Sequence, residues 1–202
     1  MAIFISCGKC PPVTHQVVFE VLRHPAGRSM SFLYGRLTVD GPALERIASG
    51  VAGGRIGARH APSDLREGAG AKWSIQNDEL VFRRQMPGAG TVIHEAVHGL
   101  QDEIRYPRGV TEAEAIANVA EAYYRLLRAK IDFGSYAKEL ASIKAGSPID
   151  SAAADVVVRM SMVTRSYTHL VPADIRAVEQ AIANHDLYKD KADAYQFNGI
   201  RP

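Results

Sequence analysis

Thr91-Val92-Ile93-His94-Glu95-Ala96-Val97-His98-Gly99-Leu100 is the stretch on which the reading of this chain turns. On an α-helix, side chains four residues apart differ by about 40° in rotation and one turn in rise, so both imidazoles can address one point. Ile93, Val97, Leu100 and Ile104 recur at spacings of four, three and four and make an apolar stripe on another face. That periodicity predicts a helix from about Thr91 to Ile104, between the breaks Pro87-Gly88-Ala89-Gly90 and Tyr106-Pro107-Arg108-Gly109. From Thr91 to Leu100 nothing outside the motif is charged, which predicts a helix in the floor of a cleft.

Two imidazoles at this spacing suit a metal ion. Zn²⁺ takes imidazole nitrogen at about 2.0–2.1 Å, and a catalytic site keeps one position open beside three protein ligands. His94 and His98 are therefore candidate zinc ligands. Glu95, beside them, is the candidate general base for an attacking water. Asp102 continues the same stripe and is a candidate acceptor behind the ligands. The third ligand must come from elsewhere. A second long helix, expected over Thr111 to Ile131, offers Glu112, Glu114 and Glu121. Glu114 and Glu121 share a stripe with Asn118 and Arg125, whereas Glu112 points about 160° away from Glu114. Thr111-Glu112-Ala113-Glu114 also reads as a capping box in which Glu114 bonds back to Thr111. Spacing leaves Glu114 and Glu121 both open. His60, His169, His185, Tyr167 and Tyr188 are lesser candidates for stabilising an oxyanion, and no pattern ties them to the cleft.

Upstream of the motif the chain looks mixed. His15–Arg23 and Ser31–Val39, rich in β-branched and aromatic residues, read as strands joined by a turn at His24-Pro25-Ala26-Gly27. Asp40–Ser49 reads as a helix with Asp40 as its N-cap and Gly50 past its end. Gly53–Gly70 reads as a loop. Lys72–Ile75 and Leu80–Arg84 flank Asn77-Asp78 and read as a hairpin. Downstream, Ser135–Lys144, Asp150–Thr164, Ala173–Asn184 and Lys189–Gln196 read as helices. The expected class is α+β: a small N-terminal antiparallel sheet packed on the motif helix, then a mainly helical half. One domain is expected over 1–202, mixed over 1–90, with the motif and third-ligand helices over 91–131 and a helical subdomain over 132–202.

With 24 basic and 22 acidic residues among 202, a net charge of +2 gives no reason to expect nucleic acid or a membrane surface as partner. No stretch approaches the roughly 18–20 apolar residues of a membrane span. Met1–Cys7 lacks a basic leader, which predicts a cytoplasmic chain or one exported by a route that needs no signal peptide. Cys7 and Cys10, spaced C-x-x-C, form no disulfide framework and read as reduced cysteines near a terminus. Composition and spacing leave oligomeric state open.

The decapeptide quoted above resembles the extended signature of the zincin metallopeptidases. It has a Thr three before the first His, uncharged residues between the ligands, and an apolar residue two after the second. Its His-Glu-Ala-Val-His-Gly-Leu-Gln-Asp core is similar to small bacterial zincin-like proteins. Glu114-Ala115-Ile116-Ala117 with Tyr123-Tyr124, and Ala181 to Tyr188, extend that likeness. The resemblance implies a Zn²⁺ cofactor, a gluzincin-like carboxylate ligand that favours Glu114, and hydrolysis of a peptide or protein substrate with Glu95 as base. It equally admits a toxin, effector or regulatory protein acting on one dedicated partner. A hydrolase of non-peptide amides and a non-catalytic helical domain with structural zinc are further alternatives.

Overall fold

A computed structural model gives the fold and describes residues 12–107, 109–162, 168–186, 188, 197 and 199–200. The architecture is α+β, as expected. The expected helix over Lys189–Gln196, the cysteine pair and Tyr167 lie outside the described residues.

The chain opens with a helix where a strand was expected. Helix α1 spans Val13–Arg23, and Thr14, Val18, Val21 and Leu22 are buried along one side of it. Those buried positions fall at helical spacings, and packing of that face prevails over the β propensity of the valines and phenylalanine. The expected turn is a short helix, α2 (Pro25–Arg28), in which Pro25 stands in the first turn and the His24 ring accepts the Ala26 N–H at 3.2 Å. Ser31–Val39 is a hairpin, β1 (Ser31–Tyr34) and β2 (Leu37–Asp40), not one strand. Asp40 does cap the next helix, α3 (Gly41–Ala52), taking the Ala43 N–H at 2.7 Å. Gly50 lies inside that helix.

The Gly-rich loop contains a strand. β3 (Gly57–His60) pairs in parallel with β5 (Glu79–Phe82), and β4 (Ala71–Ser74) pairs antiparallel with β5 on its other side. The order is thus β3-β5-β4. The expected 72–84 hairpin is present, but its second strand is central and its first is the edge. Late in the chain, β6 (Thr168–Leu170) pairs in parallel with β1, giving β2-β1-β6. The single antiparallel sheet expected from sequence is therefore two three-stranded sheets of mixed direction. Parallel partners distant in sequence leave no local turn signal to be read.

The motif helix is α4 (Ala89–Glu103). It ends on Arg105, a non-glycine with φ 49°, while the Tyr106 N–H reaches the Gln101 carbonyl at 2.8 Å and the Arg105 N–H the Asp102 carbonyl at 2.9 Å. These two bonds satisfy carbonyls that the helix end would otherwise strand. The chain then turns into α5 (Val110–Phe133), which stops at Gly134 in the left-handed region, φ 58°. Helices α6 (Tyr136–Lys144), α7 (Pro148–Met162) and α8 (Pro172–Ala183) follow, α7 and α8 packing on α5. The expected stripe on α4 understates its burial. Val92, Ile93, Ala96, Val97 and Leu100 are all buried, with α1, α3, α5, β2 and β4 around them. No described helix is long and apolar enough to cross a membrane.

Candidate metal centre

Three side chains from two helices meet at one point. His94 and His98 project from α4, and Glu114 projects from the first turns of α5. The two Nε2 atoms are 3.3 Å apart. Glu114 Oε2 is 3.3 Å from His94 Nε2, and its Oε1 is 3.8 Å from His98 Nε2. One donor atom from each of the three lies within 4.8 Å of the others. The fully buried Ala113, Ala115 and Ala117 flank Glu114, and small side chains let the two helices approach.

Glu114 is not a capping residue. The N-cap of α5 is Gly109, without a side-chain cap, and the Glu114 carboxylate faces the histidines. Glu112 is turned away and accepts the Tyr106 hydroxyl at 2.6 Å. Glu121 stands behind His94, with Oε2 3.5 Å from Nδ1, on the side of the ring away from the cluster. Gly90 makes room for it: a Cβ there would lie 2.6 Å from Glu121 Oε1. His98 is held from behind by Gln101, whose Oε1 is 2.8 Å from Nδ1.

The charges are strongly coupled. Burial opposes a charged His94, but Glu114 and Glu121 outweigh it and hold the imidazole well above its usual range. Burial also pushes Glu114 upward, and its hydrogen bonds with His94 and His98 overrule that, leaving it well below the ordinary carboxylate range. Glu95 is raised by burial, against weaker downward pulls from His94, His98 and the Trp73 backbone N–H. Glu95 is 6% exposed, and its Oε2 is buried without a hydrogen-bond partner among the described residues. A buried carboxylate oxygen is costly to leave unsatisfied, so it marks where a polar reactant fits.

These groups line a cleft of about 810 Å³. One wall is the loop 64–70 and edge strand β4, including Trp73; Tyr188 and Phe197 close another side. The Trp73 ring lies against α4 at Gly99, where a Cβ would be 3.2 Å from Cζ3. Asp102 does not touch the histidines. It is fully buried and accepts the Trp73 indole N–H at 3.1 Å and the Gly199 N–H at 2.9 Å, so it clasps the cleft wall to the motif helix. Arg83 and Arg84 are not in the lining; the Arg83 guanidinium donates to the carbonyls of Ala69 and Arg66. Of the lesser candidates, Tyr188 reaches the site, donating its hydroxyl to Glu114 Oε2 at 3.1 Å. Burial, then the Glu114 charge, raises that phenol's pKa, so it stays a donor. His185 packs edge-on against the Tyr188 ring, His60 contacts the Arg83 carbonyl, and His169 sits on β6. None of these three is in the lining of the cleft.

The donor set, two imidazoles and a carboxylate with acceptors behind both rings and open cleft in front, could hold a divalent metal of intermediate softness. No known protein family, curated protein or solved structure matches the chain.

Proposed function

We propose that this chain is a zinc-dependent hydrolase of amide bonds, with a peptide or protein as substrate. The observation that carries the reading is the juxtaposition of the His94–His98–Glu114 cluster with the buried, unpartnered Glu95 Oε2 in one open cleft. The peptide substrate rests on the likeness of the motif to the zincin metallopeptidases.

In this reading His94 Nε2, His98 Nε2 and Glu114 hold the ion. Bound zinc supplies Lewis acidity, which lowers the pKa of water toward about 7 and polarises a carbonyl. The residues of the chain do the rest. Glu95 takes the proton of the attacking water at its free oxygen and returns it to the departing nitrogen. Its raised pKa suits both halves of that task. Tyr188, a neutral hydroxyl at the edge of the cluster, donates its proton to Glu114 Oε2 and orients that carboxylate. Edge strand β4 and Trp73 form the wall along which an extended chain would lie.

The reading is tested by metal analysis and turnover together. Purified protein is expected to carry about one zinc per chain and to cleave a peptide library. A protein that binds no zinc, or that cleaves equally well after its zinc is stripped, would contradict it.

A further inference from the structure

We infer that Gln101 is the positioning residue of this centre: it fixes His98 as the Nδ1–H tautomer, leaving Nε2 to bind metal, and keys that choice to the backbone beside Glu114. The inference rests on the metal-binding reading of the cluster.

The argument begins at a carbonyl. Gln101 is fully buried, and its Nε2 lies 3.0 Å from the Ala113 carbonyl oxygen. A carbonyl can only accept, so the amide nitrogen must face it; a flipped amide would set two oxygens against each other in a site closed to water. With nitrogen toward Ala113, Oε1 faces His98 Nδ1 at 2.8 Å. An amide oxygen also only accepts, so Nδ1 must carry the proton. The neutral ring then has its lone pair on Nε2, the atom that points at His94 Nε2 and Glu114.

The register is equally specific. Gln101 is three residues after His98 on α4, within reach of the same ring. Ala113 immediately precedes Glu114 on α5. One amide therefore links one candidate ligand to the backbone that carries another, and holds the spacing of α4 and α5 at the cluster. A carboxylate here would place a formal charge in a fully buried position; the neutral amide orients the ring without that cost.

The test uses the full-length protein, uniformly labelled with ¹⁵N, and Zn²⁺ as the probe. Long-range ¹H–¹⁵N spectra of the wild type are expected to show His98 protonated at Nδ1, and coordinated through Nε2 once zinc is added. Zinc affinity is then measured by chelator competition. Gln101→Leu is expected to weaken binding by about 10- to 100-fold, the range typical of groups that orient metal-bound histidines. Gln101→Glu, which keeps an oxygen on Nδ1 but sets its other oxygen against the Ala113 carbonyl, is expected to keep the Nδ1–H tautomer while lowering the midpoint of urea unfolding. An Nε2–H tautomer, or coordination through Nδ1, overturns the inference even if neither variant folds. So does a Gln101→Leu affinity within about threefold of wild type. Absence of zinc binding by the wild type would instead refute the metal-centre reading, while the tautomer in the metal-free spectrum still decides the role of Gln101.

Discussion

Removing Glu114 and removing Glu121 should damage zinc binding to different degrees, and the geometry sets the difference. Both carboxylates approach His94, but from opposite sides of the ring. Glu114 meets Nε2 at 3.3 Å, inside the three-donor cluster, and Glu121 meets Nδ1 at 3.5 Å, behind it. In the proposed centre Glu114→Ala deletes a ligand. Four-ligand zinc sites bind with about 10–16 kcal/mol, or about 2.5–4 kcal/mol for each ligand. The expected loss is therefore about 100- to 1000-fold in affinity. Glu121→Ala deletes only the group that holds the ring from behind, for which about 10- to 100-fold is expected. Competition against a chromophoric chelator, with each variant checked for native circular dichroism, reads both values. A Glu121→Ala loss equal to or larger than that of Glu114→Ala would refute the assignment of Glu114 as the ligand and Glu121 as its support.

Gly90→Ala should weaken zinc binding in the same direction as Glu121→Ala, because the new methyl would sit 2.6 Å from Glu121 Oε1 and move it off the ring; unchanged affinity would contradict this. Asp102→Ala should destabilise the fold by about 1–3 kcal/mol, the cost of a buried donor left unpaired, since the Trp73 indole loses its acceptor. Urea unfolding should show a lower midpoint at unchanged slope, with a smaller drop for Asp102→Asn, which keeps one accepting oxygen. Zinc at about 1000 times its dissociation constant should add about 4 kcal/mol of stability. For a chain of this size that raises Tm by about 8–16 °C, reversibly on chelation, and a Tm insensitive to zinc would count against a site built across α4 and α5.

How much could be read from the residues alone depended on how local the signal was. The α4 helix and the convergence of His94 with His98 follow from a four-residue spacing, and the structure has both, although the helix starts at Ala89, inside the break expected over 87–90. The Asp40 cap was legible for the same reason. Glu114 and Glu121 were not separable, because helical phase puts both on one stripe; only the packed position of α5 shows one facing Nε2 and the other Nδ1. The capping-box pattern at Thr111 misled, since Gly109 starts the helix and Glu114 is drawn to the histidines. At α1 the β-branched content of residues 15–23 points to a strand, while the buried Thr14, Val18, Val21 and Leu22 fall at helical spacings. Strands β3 and β6 were invisible because their partners are distant and parallel. Gln101 carries no ligand signal of its own in the sequence. Its signal was its place three residues after His98, and its meaning lies in the Ala113 carbonyl across the helix interface.

The central claim is that Glu95 acts as the base of a zinc site it does not itself build. Its most direct test compares zinc content and peptide hydrolysis in wild type and Glu95→Gln. Gln is close to isosteric and leaves His94, His98 and Glu114 in place, so about one zinc per chain should remain. Turnover should fall by about 100-fold or more, as expected when a general base is removed. Full hydrolysis by zinc-loaded Glu95→Gln, or loss of zinc from it, would contradict the account.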